Sequence, residues 1–407
     1  MKRLCRLVAI VLVCAACSSE PEVVPATTVE VTSTRAAAPP ATSVDQSAER
    51  SLAPPPSVPA DADFYEPPEL PAAGEPGDVI WAEPISAPAG VAAWKVLYRS
   101  TSVNGTSIAV SGWVAIPDGD EAVPVVAFGH GTTGLADKCA PTRRGGQAPH
   151  NFQRALDNGW AVAYTDYQGL GAPGLHHYLV GAAEAHALID VARSAARFDE
   201  RVTDQVAFWG FSQGGHAALF AAELFGEIAP ELDVVGSVAV APAVDISGWV
   251  EEDPLGERHF LAMVALAYTD ALGLDPASVL SSELLERYDQ IADGCIFDAT
   301  VAMSGVPSLY KTDPPDERLV SFFAANDPGT SFIATPILLA TSEADGLLRA
   351  DVAETFVARV CGTGTTLDRI VVEDAAHLET FGETADDVVA WLEDRFSGAP
   401  TQGTCES

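Results

Sequence analysis

The sequence predicts an α/β fold, in which a mostly parallel sheet is covered by helices and carries a helical insertion. Three observations lead to this prediction: short apolar runs recur from residue 123 to residue 372, helical segments separate several of them, and one long interval contains helical pieces alone. Alternating strands and helices are typical of parallel sheets, whose strands are apolar throughout because both faces are buried. With 48% hydrophobic and 19% charged residues, the composition is that of a globular protein.

The strands and helices follow one another in a regular order. A hairpin comes first, with strands at Val91 to Leu97 and Ile108 to Ile116 and a turn at Asn104-Gly105. Further strands are predicted at Val123 to Phe128, Ala161 to Tyr164, Val206 to Trp209, Val234 to Val240, Ile337 to Ala340 and Ile370 to Val372. Helices are predicted at Gly181 to Arg197, Gln213 to Phe225 and Val352 to Val360.

The interval between Val240 and Ile337 breaks this alternation. It has no convincing strand, but it has helix-like pieces such as His259 to Leu272 and Val279 to Ile291. An interval of this length is too long for a connecting loop. We therefore expect a helical lid over about residues 246–333, above a site at the carboxyl edge of the sheet.

The N-terminal residues predict export. Three basic residues precede an apolar run from Leu7 to Val13, and small residues follow, as in a signal peptide covering residues 1–17. The run is too short to span a bilayer, which takes about 20 residues. Ala15-Ala16-Cys17 also resembles the lipobox of bacterial lipoproteins, which predicts lipidation of Cys17; ordinary cleavage near Ala16 is the alternative.

Composition divides the remaining chain in two and excludes some partners. Residues 18–77 are rich in Pro, Ala and Thr and predict a disordered spacer, whereas residues 78–407 form the predicted catalytic domain. The formal net charge of -35 repels nucleic acids and anionic membranes. We expect no nucleic acid partner, membrane contact only through a lipid on Cys17, and a monomer.

Cysteine usage predicts disulfides. Of the seven cysteines, two leave with the signal peptide and Cys17 is the lipidation candidate. Four cysteines remain. In an oxidising compartment, this even number predicts two disulfides with three alternative connectivities. No two of the four lie close together in sequence, so a zinc site is not expected. The four are Cys139, Cys295, Cys361 and Cys405.

The segment Gly210-Phe211-Ser212-Gln213-Gly214 matches the G-x-S-x-G nucleophile elbow of α/β-hydrolases. A predicted strand precedes it and a helix with small residues follows. Glycines permit the tight turn that exposes a serine hydroxyl. An ordinary glycine-rich turn is the alternative, but the context favours Ser212 as nucleophile and the backbone N–H of Gln213 as an oxyanion donor.

A serine nucleophile needs a histidine base oriented by an acid, and in this fold the chain order is Ser, Asp or Glu, then His. Three histidines follow Ser212. His216 falls in the elbow helix and His259 in the predicted lid, whereas His377 follows a predicted strand. We therefore expect His377 to be the base.

The acid and the second oxyanion donor are expected in two other loops. Asp345 follows the strand Ile337 to Ala340 and is the predicted acid; Glu343 is the local alternative, and Asp351 is expected to cap the next helix. The second oxyanion donor is expected in the loop Gly129 to Gly134, where His130 is given a structural role.

Two motifs suggest other chemistry. Gly169 to Gly174 spells G-x-G-x-x-G, with Asp190 about twenty residues on. Pro173 interrupts this turn, and the next helix starts only near Gly181, which is too late for a dinucleotide site. His176-His177 lacks a partner at metal-ligand spacing. We expect no cofactor and no metal.

Several stretches together resemble the secretory lipase family, with its fungal and actinobacterial members, from roughly Trp81 to Cys405. The resemblance implies a lidded α/β-hydrolase, a Ser212–Asp345–His377 triad and hydrolysis of carboxylic esters, often acylglycerols. It also implies disulfides Cys139–Cys295 and Cys361–Cys405 and a backbone oxyanion donor at Thr132 or Thr133. The stretches are Gly129 to Gly134 with Asp137 to Thr142, Thr165 to Gly171, the Ser212 elbow, Ala344-Asp345 and Ala376 to Leu378.

Three functions fit these residues. The first is an exported or envelope-anchored esterase or lipase acting on an ester or acylglycerol. The second is an envelope acyltransferase that passes the same acyl group to an alcohol. The third is a surface lipoprotein that keeps the fold without catalysis. No member of the predicted triad is missing, which favours an enzyme.

Overall fold

A single mixed sheet forms the centre of the fold. The computed structural model describes residues 54–68, 74–144, 150–252 and 258–405. Strands in these ranges are β1 (Val79–Pro84), β2 (Val91–Thr101), β3 (Ser107–Pro117), β4 (Val123–Gly129), β5 (Ala161–Thr165), β6 (Val202–Phe211), β7 (Asp233–Val240), β8 (Ile337–Ser342) and β9 (Leu367–Val372). Their order is β1-β2-β3-β5-β4-β6-β7-β8-β9. Pairing is antiparallel from β1 to β5 and parallel from β5 to β9, which confirms the predicted mostly parallel sheet.

Helices cover both faces of the sheet. Those described are α1 (His150–Asp157), α2 (Gly181–Ala195), α3 (Gln213–Ile228), α4 (Ile246–Glu252), α5 (Arg258–Ala271), α6 (Pro276–Val279), α7 (Ser282–Leu285), α8 (Tyr288–Ala292), α9 (Ile296–Ala302), α10 (Glu317–Ala325), α11 (Ala350–Gly362), α12 (His377–Glu383) and α13 (Ala385–Phe396). Helices α2, α3 and α11 pack in one apolar cluster, and α1 and α13 in another. On β4, Val125 joins the first cluster and Val126 the second, because successive side chains of a strand point to opposite faces.

Helices α4 to α10 form the insertion between β7 and β8, and they share an apolar cluster with Leu135 and with buried residues between Tyr178 and Ala183. The predicted helix at His259 to Leu272 corresponds to α5. The predicted helix at Val279 to Ile291 is wrong as one element, since three short helices occupy the region. Asp275 and Ser281 each accept a hydrogen bond from a backbone N–H two or three residues later, and these caps begin α6 and α7. Within the described ranges, no helix is long and apolar enough to cross a membrane.

The folded part of the chain begins earlier than residue 78. Phe64 and Tyr65 are buried against Trp81 and Leu97, and Ser57 pairs with β1. The prediction that the spacer extends to residue 77 is therefore wrong for residues 54–68, because two aromatic side chains supply core contacts to a proline-rich segment. Residues 1–53, including the predicted signal peptide and Cys17, lie outside the described residues.

Two disulfides link distant parts of the chain. Cys139–Cys295 joins the segment after β4 to the start of α9 in the insertion, and Cys361–Cys405 joins α11 to the C-terminal segment. These are the pairings that the family resemblance implies. The first bond lies beside a backbone bridge between Gly134 and Cys295, so the loop after β4 is fixed to the insertion at two points.

Candidate active site

The turn between β6 and α3 holds Ser212 in an unusual backbone conformation. Its φ is +55°, in the region that L-residues rarely adopt. A Cβ at Gly210 would overlap the carbonyl group of Gly214, and one at Gly214 would overlap the carbonyl group of Gly129. Both glycines of the motif are therefore required by close backbone approach. The N–H of Ser212 donates to the carbonyl of Val240 (2.9 Å), which ties the turn to β7.

Three side chains converge at the carboxyl edge of the sheet. His377 Nε2 lies 3.0 Å from Ser212 Oγ, and His377 Nδ1 lies 2.8 Å from Asp345 Oδ2. Because an ionised carboxylate can only accept, Nδ1 donates and Nε2 is left to accept the serine proton. The other oxygen of Asp345 accepts from the N–H groups of Leu347 (2.8 Å) and Leu348 (3.0 Å), which fixes the carboxylate.

The structure distinguishes Asp345 and His377 from the other candidates for the acid and the base. Glu343 has an exposed side chain, and its N–H donates to the carbonyl of Val372. Asp351 is the second residue of α11 and pairs with Arg349, which is the residue at the cap position; the predicted cap is wrong by two positions. The ring of His216 contacts Glu184, while the backbone N–H of His216 donates to the carbonyl of Ser212.

The predicted oxyanion residues lie in two segments, the start of α3 and the loop after β4. Gln213 is the first residue of α3, directly after Ser212. In the loop after β4, the hydroxyl of Thr132 lies 2.8 Å from the hydroxyl of Tyr178, and the carbonyl of Thr133 accepts from the N–H of Ile296 (3.0 Å). These contacts hold the loop between the segment that carries Tyr178 and the insertion. The backbone N–H of either threonine stays a candidate donor.

His130 has surroundings that suit its predicted structural role. Its Nδ1 donates to the carbonyl of Gly131 (2.7 Å), and Tyr167 donates to the carbonyl of His130 (2.9 Å). Burial lowers the pKa of His130 to about 4, so the ring is neutral at pH 7. It packs against the rings of Tyr164 and Tyr167.

A cavity opens above Ser212 and His377, with a largely apolar wall. The insertion contributes Trp249 and Phe260, and the segment after β8 contributes Leu347 and Leu348. Tyr178, Gln213, Asp245 and Arg349 add polar groups to the same lining. Ser212, Gln213 and His377 therefore line one cavity together with aromatic and aliphatic side chains.

The residues of the remaining motifs contact other parts of the fold. A Cβ at Gly169 would overlap the carbonyl group of Leu175, and α2 begins only at Gly181. Asp190 is buried inside α2, where Ser100 and Arg193 bind its carboxylate. His177 bridges Gln168 and Asp270. Among the described residues, no group of three His, Cys, Asp or Glu side chains is placed to hold a metal ion.

Sequence reasoning missed a polar cluster that lies next to the turn. Glu184 on α2 is almost fully buried and binds both the side chain of Gln213 and the ring of His216. The one available signal was a glutamate among the small and apolar residues that open the predicted helix at Gly181. Charged side chains are seldom fully buried unless they are paired.

Comparisons with known proteins identify similar chains. A model of the family described as secretory lipase matches residues 147–404, more than half of the chain. A protein named "Probable inactive lipase MT1628" from Mycobacterium tuberculosis is 26% identical over 387 residues, covering 85% of this chain and 84% of that protein. Lipase A from Arthroderma benhamiae is 26% identical over 398 residues, covering 86% and 82%.

Solved structures share the fold. Candida antarctica lipase A in its closed state has a TM-score of 0.70 at 19% identity, with 85% of this chain and 88% of that chain covered. A rice cell wall degrading esterase, LipA from Xanthomonas oryzae, has a TM-score of 0.67 at 19% identity, with 80% and 99% covered. At such identities the likeness concerns the fold, and it confirms the predicted α/β-hydrolase architecture.

Proposed function

This chain belongs to the secretory lipase family of carboxylic ester hydrolases, and we propose that it acts through an acyl-enzyme formed on Ser212. The observation that carries the proposal is the continuous chain of contacts from Ser212 Oγ through His377 to Asp345, at 3.0 and 2.8 Å. This is the geometry that a nucleophile, a base and an orienting acid require.

In the first half of the reaction, Ser212 Oγ attacks the ester carbonyl carbon while its proton passes to Nε2 of His377. The carbonyl oxygen becomes an oxyanion, which the N–H of Gln213 and one N–H from Thr132 or Thr133 stabilise. The bond to the alkoxy oxygen then breaks, and that oxygen takes the proton from His377 and leaves as an alcohol. The acyl group stays on Ser212.

In the second half, water attacks the acyl carbon and gives a proton to His377. The bond to Ser212 Oγ breaks, the serine recovers the proton, and a carboxylic acid leaves. Asp345 accepts a hydrogen bond from Nδ1 throughout the reaction. It stabilises the imidazolium but does not take its proton. Two fixed N–H donors to its other oxygen support that role.

The cavity wall supports an apolar acyl group as substrate. Trp249, Phe260 and Leu348 offer aromatic and aliphatic surface, as expected for the alkyl part of an ester. A relative from Malassezia globosa, 22% identical over 382 residues, is named a secreted triacylglycerol lipase. We therefore propose acylglycerols or related neutral esters as the substrate class.

Replacing the nucleophile tests the mechanism. Ser212→Ala is expected to abolish hydrolysis of p-nitrophenyl esters while leaving the thermal unfolding temperature nearly unchanged. Substantial residual hydrolysis in this variant would refute the nucleophile assignment. If the unmodified protein hydrolyses none of a series of esters from short to long chains, the non-catalytic alternative is favoured, consistent with the name of the mycobacterial relative.

Acyl transfer to an alcohol shares every step up to the acyl-enzyme. Product analysis with an added alcohol acceptor separates the two activities, and we expect the free acid to dominate. A preference for the new ester at low alcohol concentration would favour the transferase.

The N-terminal sequence supports a proposal on location. We propose that residues 1–17 direct export and that Cys17 carries a lipid, with the following residues as a spacer. The two disulfides agree with an oxidising compartment. Incorporation of a labelled fatty acid that is lost in Cys17→Ser is the expected result; labelling that persists contradicts it.

A further inference from the structure

A buried cluster of polar side chains lies directly behind Ser212 and takes no part in the reaction described above. Its centre is Glu184 on α2, which is 1% exposed. Glu184 Oε1 accepts from the side-chain amide of Gln213 (2.8 Å) and from the N–H of Leu179 (3.0 Å), and Oε2 lies 2.7 Å from Nδ1 of His216. Three of the four lone-pair positions of this carboxylate are therefore filled by fixed groups.

His216 and Glu184 share one proton. His216 is fully buried, and its Nε2 lies 2.9 Å from the backbone carbonyl of Asn326, which can only accept. Nε2 therefore carries one hydrogen. The contact between Nδ1 and Glu184 Oε2 needs another, which is the proton that the two side chains share. Because Nε2 is committed to a carbonyl, this ring cannot serve as a base for Ser212.

The same cluster fixes the side chain of Gln213 from two directions. Both hydrogens of its amide nitrogen are used, one by Glu184 and one by Nε2 of His176 (2.9 Å). His176 accepts there because its Nδ1 donates to the carbonyl of Gln168 (2.9 Å). Burial also lowers the pKa of His176 to about 3, so the ring is neutral. The residue proposed to donate its backbone N–H to the oxyanion is thus held by its own side chain.

Glu184 also reaches the other side of the proposed oxyanion site. Glu184 accepts from the N–H of Leu179, the residue directly after Tyr178. The hydroxyl of Tyr178 in turn contacts the hydroxyl of Thr132. Leu179 has a φ of +54°, a conformation that a leucine rarely adopts without support from its surroundings. One carboxylate therefore connects the segment of Gln213 with the segment that contacts Thr132.

We propose that Glu184, with His216, is a positioning residue that sets the two halves of the oxyanion site at the distance the tetrahedral intermediate requires. The proposal rests on the proposed function and goes beyond it, since Glu184 touches neither substrate nor Ser212 Oγ. A displacement of oxyanion donors by about 1 Å can lower the rate about a hundredfold. Removal of such a group is expected to lower kcat and leave KM almost unchanged.

Two variants of Glu184 test the proposal. Glu184→Ala removes every acceptor, and we expect kcat to fall about ten- to a hundredfold, with KM within about twofold. Glu184→Gln keeps the hydrogen bonds: its amide oxygen accepts from Gln213 and Leu179, and its amide nitrogen donates to Nδ1 of a neutral His216. We expect it to recover most of the kcat that Glu184→Ala loses. Gln213→Met, which loses the amide but keeps the backbone N–H, should lower kcat about tenfold.

Active-site titration distinguishes a lower kcat per competent site, which positioning predicts, from a smaller amount of folded protein. A phosphonate that modifies the nucleophile counts competent sites by its end point, and kcat is then expressed per site. Asp190→Asn is the matched control, because it alters another fully buried carboxylate of α2 that binds Ser100 and Arg193 away from the turn. Its kcat per site should equal that of the unmodified protein.

The outcomes are distinct. Unchanged kcat per site in both Glu184→Ala and Gln213→Met overturns the positioning role, as does a Glu184→Gln variant as slow as Glu184→Ala. If Glu184→Ala does not fold, the decision rests on Gln213→Met and Glu184→Gln. The positioning role is then overturned when kcat per site is unchanged in Gln213→Met. If the unmodified protein shows no hydrolysis that depends on Ser212, the proposed function fails and not the positioning role alone.

Discussion

Two imidazole–carboxylate pairs lie near Ser212, and their lengths are almost equal: 2.8 Å between His377 and Asp345, and 2.7 Å between His216 and Glu184. They differ in what the second ring nitrogen meets. Nε2 of His377 faces a hydroxyl, which has a proton to give, whereas Nε2 of His216 faces a backbone carbonyl, which has none. The same chemical pair is therefore suited to proton transfer in one place and to fixed support in the other.

Burial agrees with this division. The His377 side chain is 12% exposed and lines the cavity, whereas that of His216 is 0% exposed. A base must reach substrate, and a support need not. Perturbing the first pair should accordingly remove proton transfer, whereas perturbing the second should lower stability and reduce the rate by a smaller factor, through the position of the oxyanion donors.

The largest expected effect comes from Asp345→Asn. An asparagine amide can donate to Nδ1 of His377, which leaves the hydrogen on Nε2, so that the ring can no longer accept from Ser212. We expect kcat for ester hydrolysis to fall about 10⁴-fold, with little change in unfolding temperature. A pH–rate profile with steady-state kinetics measures this loss, and a decrease of less than tenfold would contradict the orienting role.

The next effect, on stability, comes from His216→Ala. This change leaves the Glu184 carboxylate buried without its imidazole partner, and we expect a loss of about 3 kcal/mol in the free energy of unfolding. Urea denaturation followed by tryptophan fluorescence measures it. The double variant with Glu184→Gln should be more stable than His216→Ala alone, because the unpaired charge is gone. Equal stability of the single variant and the unmodified protein would show that no charge is shared in this pair.

The two pairs also differ in how far sequence could reveal them. Ser212 and His377 were predicted because the glycine motif is local and the order of triad residues along the chain is fixed by the fold. Glu184 and His216 lie on different helices, and nothing in their local sequence specifies that these helices bring them together. Their pairing depends on the packing of α2 against α3, which a single sequence does not encode in any short motif.

Other differences have equally physical causes. The apolar runs identified most of the sheet, since strands buried on both faces are distinctive. Strand β1 was missed because it lies at the edge of the sheet and is only partly buried. Residues 54–68 were missed because a few aromatic residues pack a segment that composition describes as a spacer. The helix expected at Val279 to Ile291 is replaced by the end of α6, by α7 and by α8, and the side-chain cap at Ser281 begins α7 inside the expected range. The choice between Thr132 and Thr133 concerns a backbone N–H, which side-chain identity does not specify.

The smallest expected effect concerns the pH dependence of stability and a third histidine, His130, whose ring has no carboxylate partner in the part of the chain that the structure describes. His130 donates to a backbone carbonyl, and burial lowers its pKa to about 4, compared with 6.5 for an exposed ring. Between pH 6.5 and 4 the unfolded chain takes up a proton that the folded ring does not, so stability falls as the pH falls through this window. One such histidine contributes a slope of about 1.4 kcal/mol per pH unit.

His130→Asn should therefore flatten the acid limb of the stability curve by about that slope, although it lowers stability at pH 8 through lost packing. Denaturation at a series of pH values between 4 and 8 measures both quantities. If the acid limb keeps its slope in His130→Asn, then the folded ring of His130 takes up its proton in the same pH range as the unfolded chain, and burial does not hold this ring neutral.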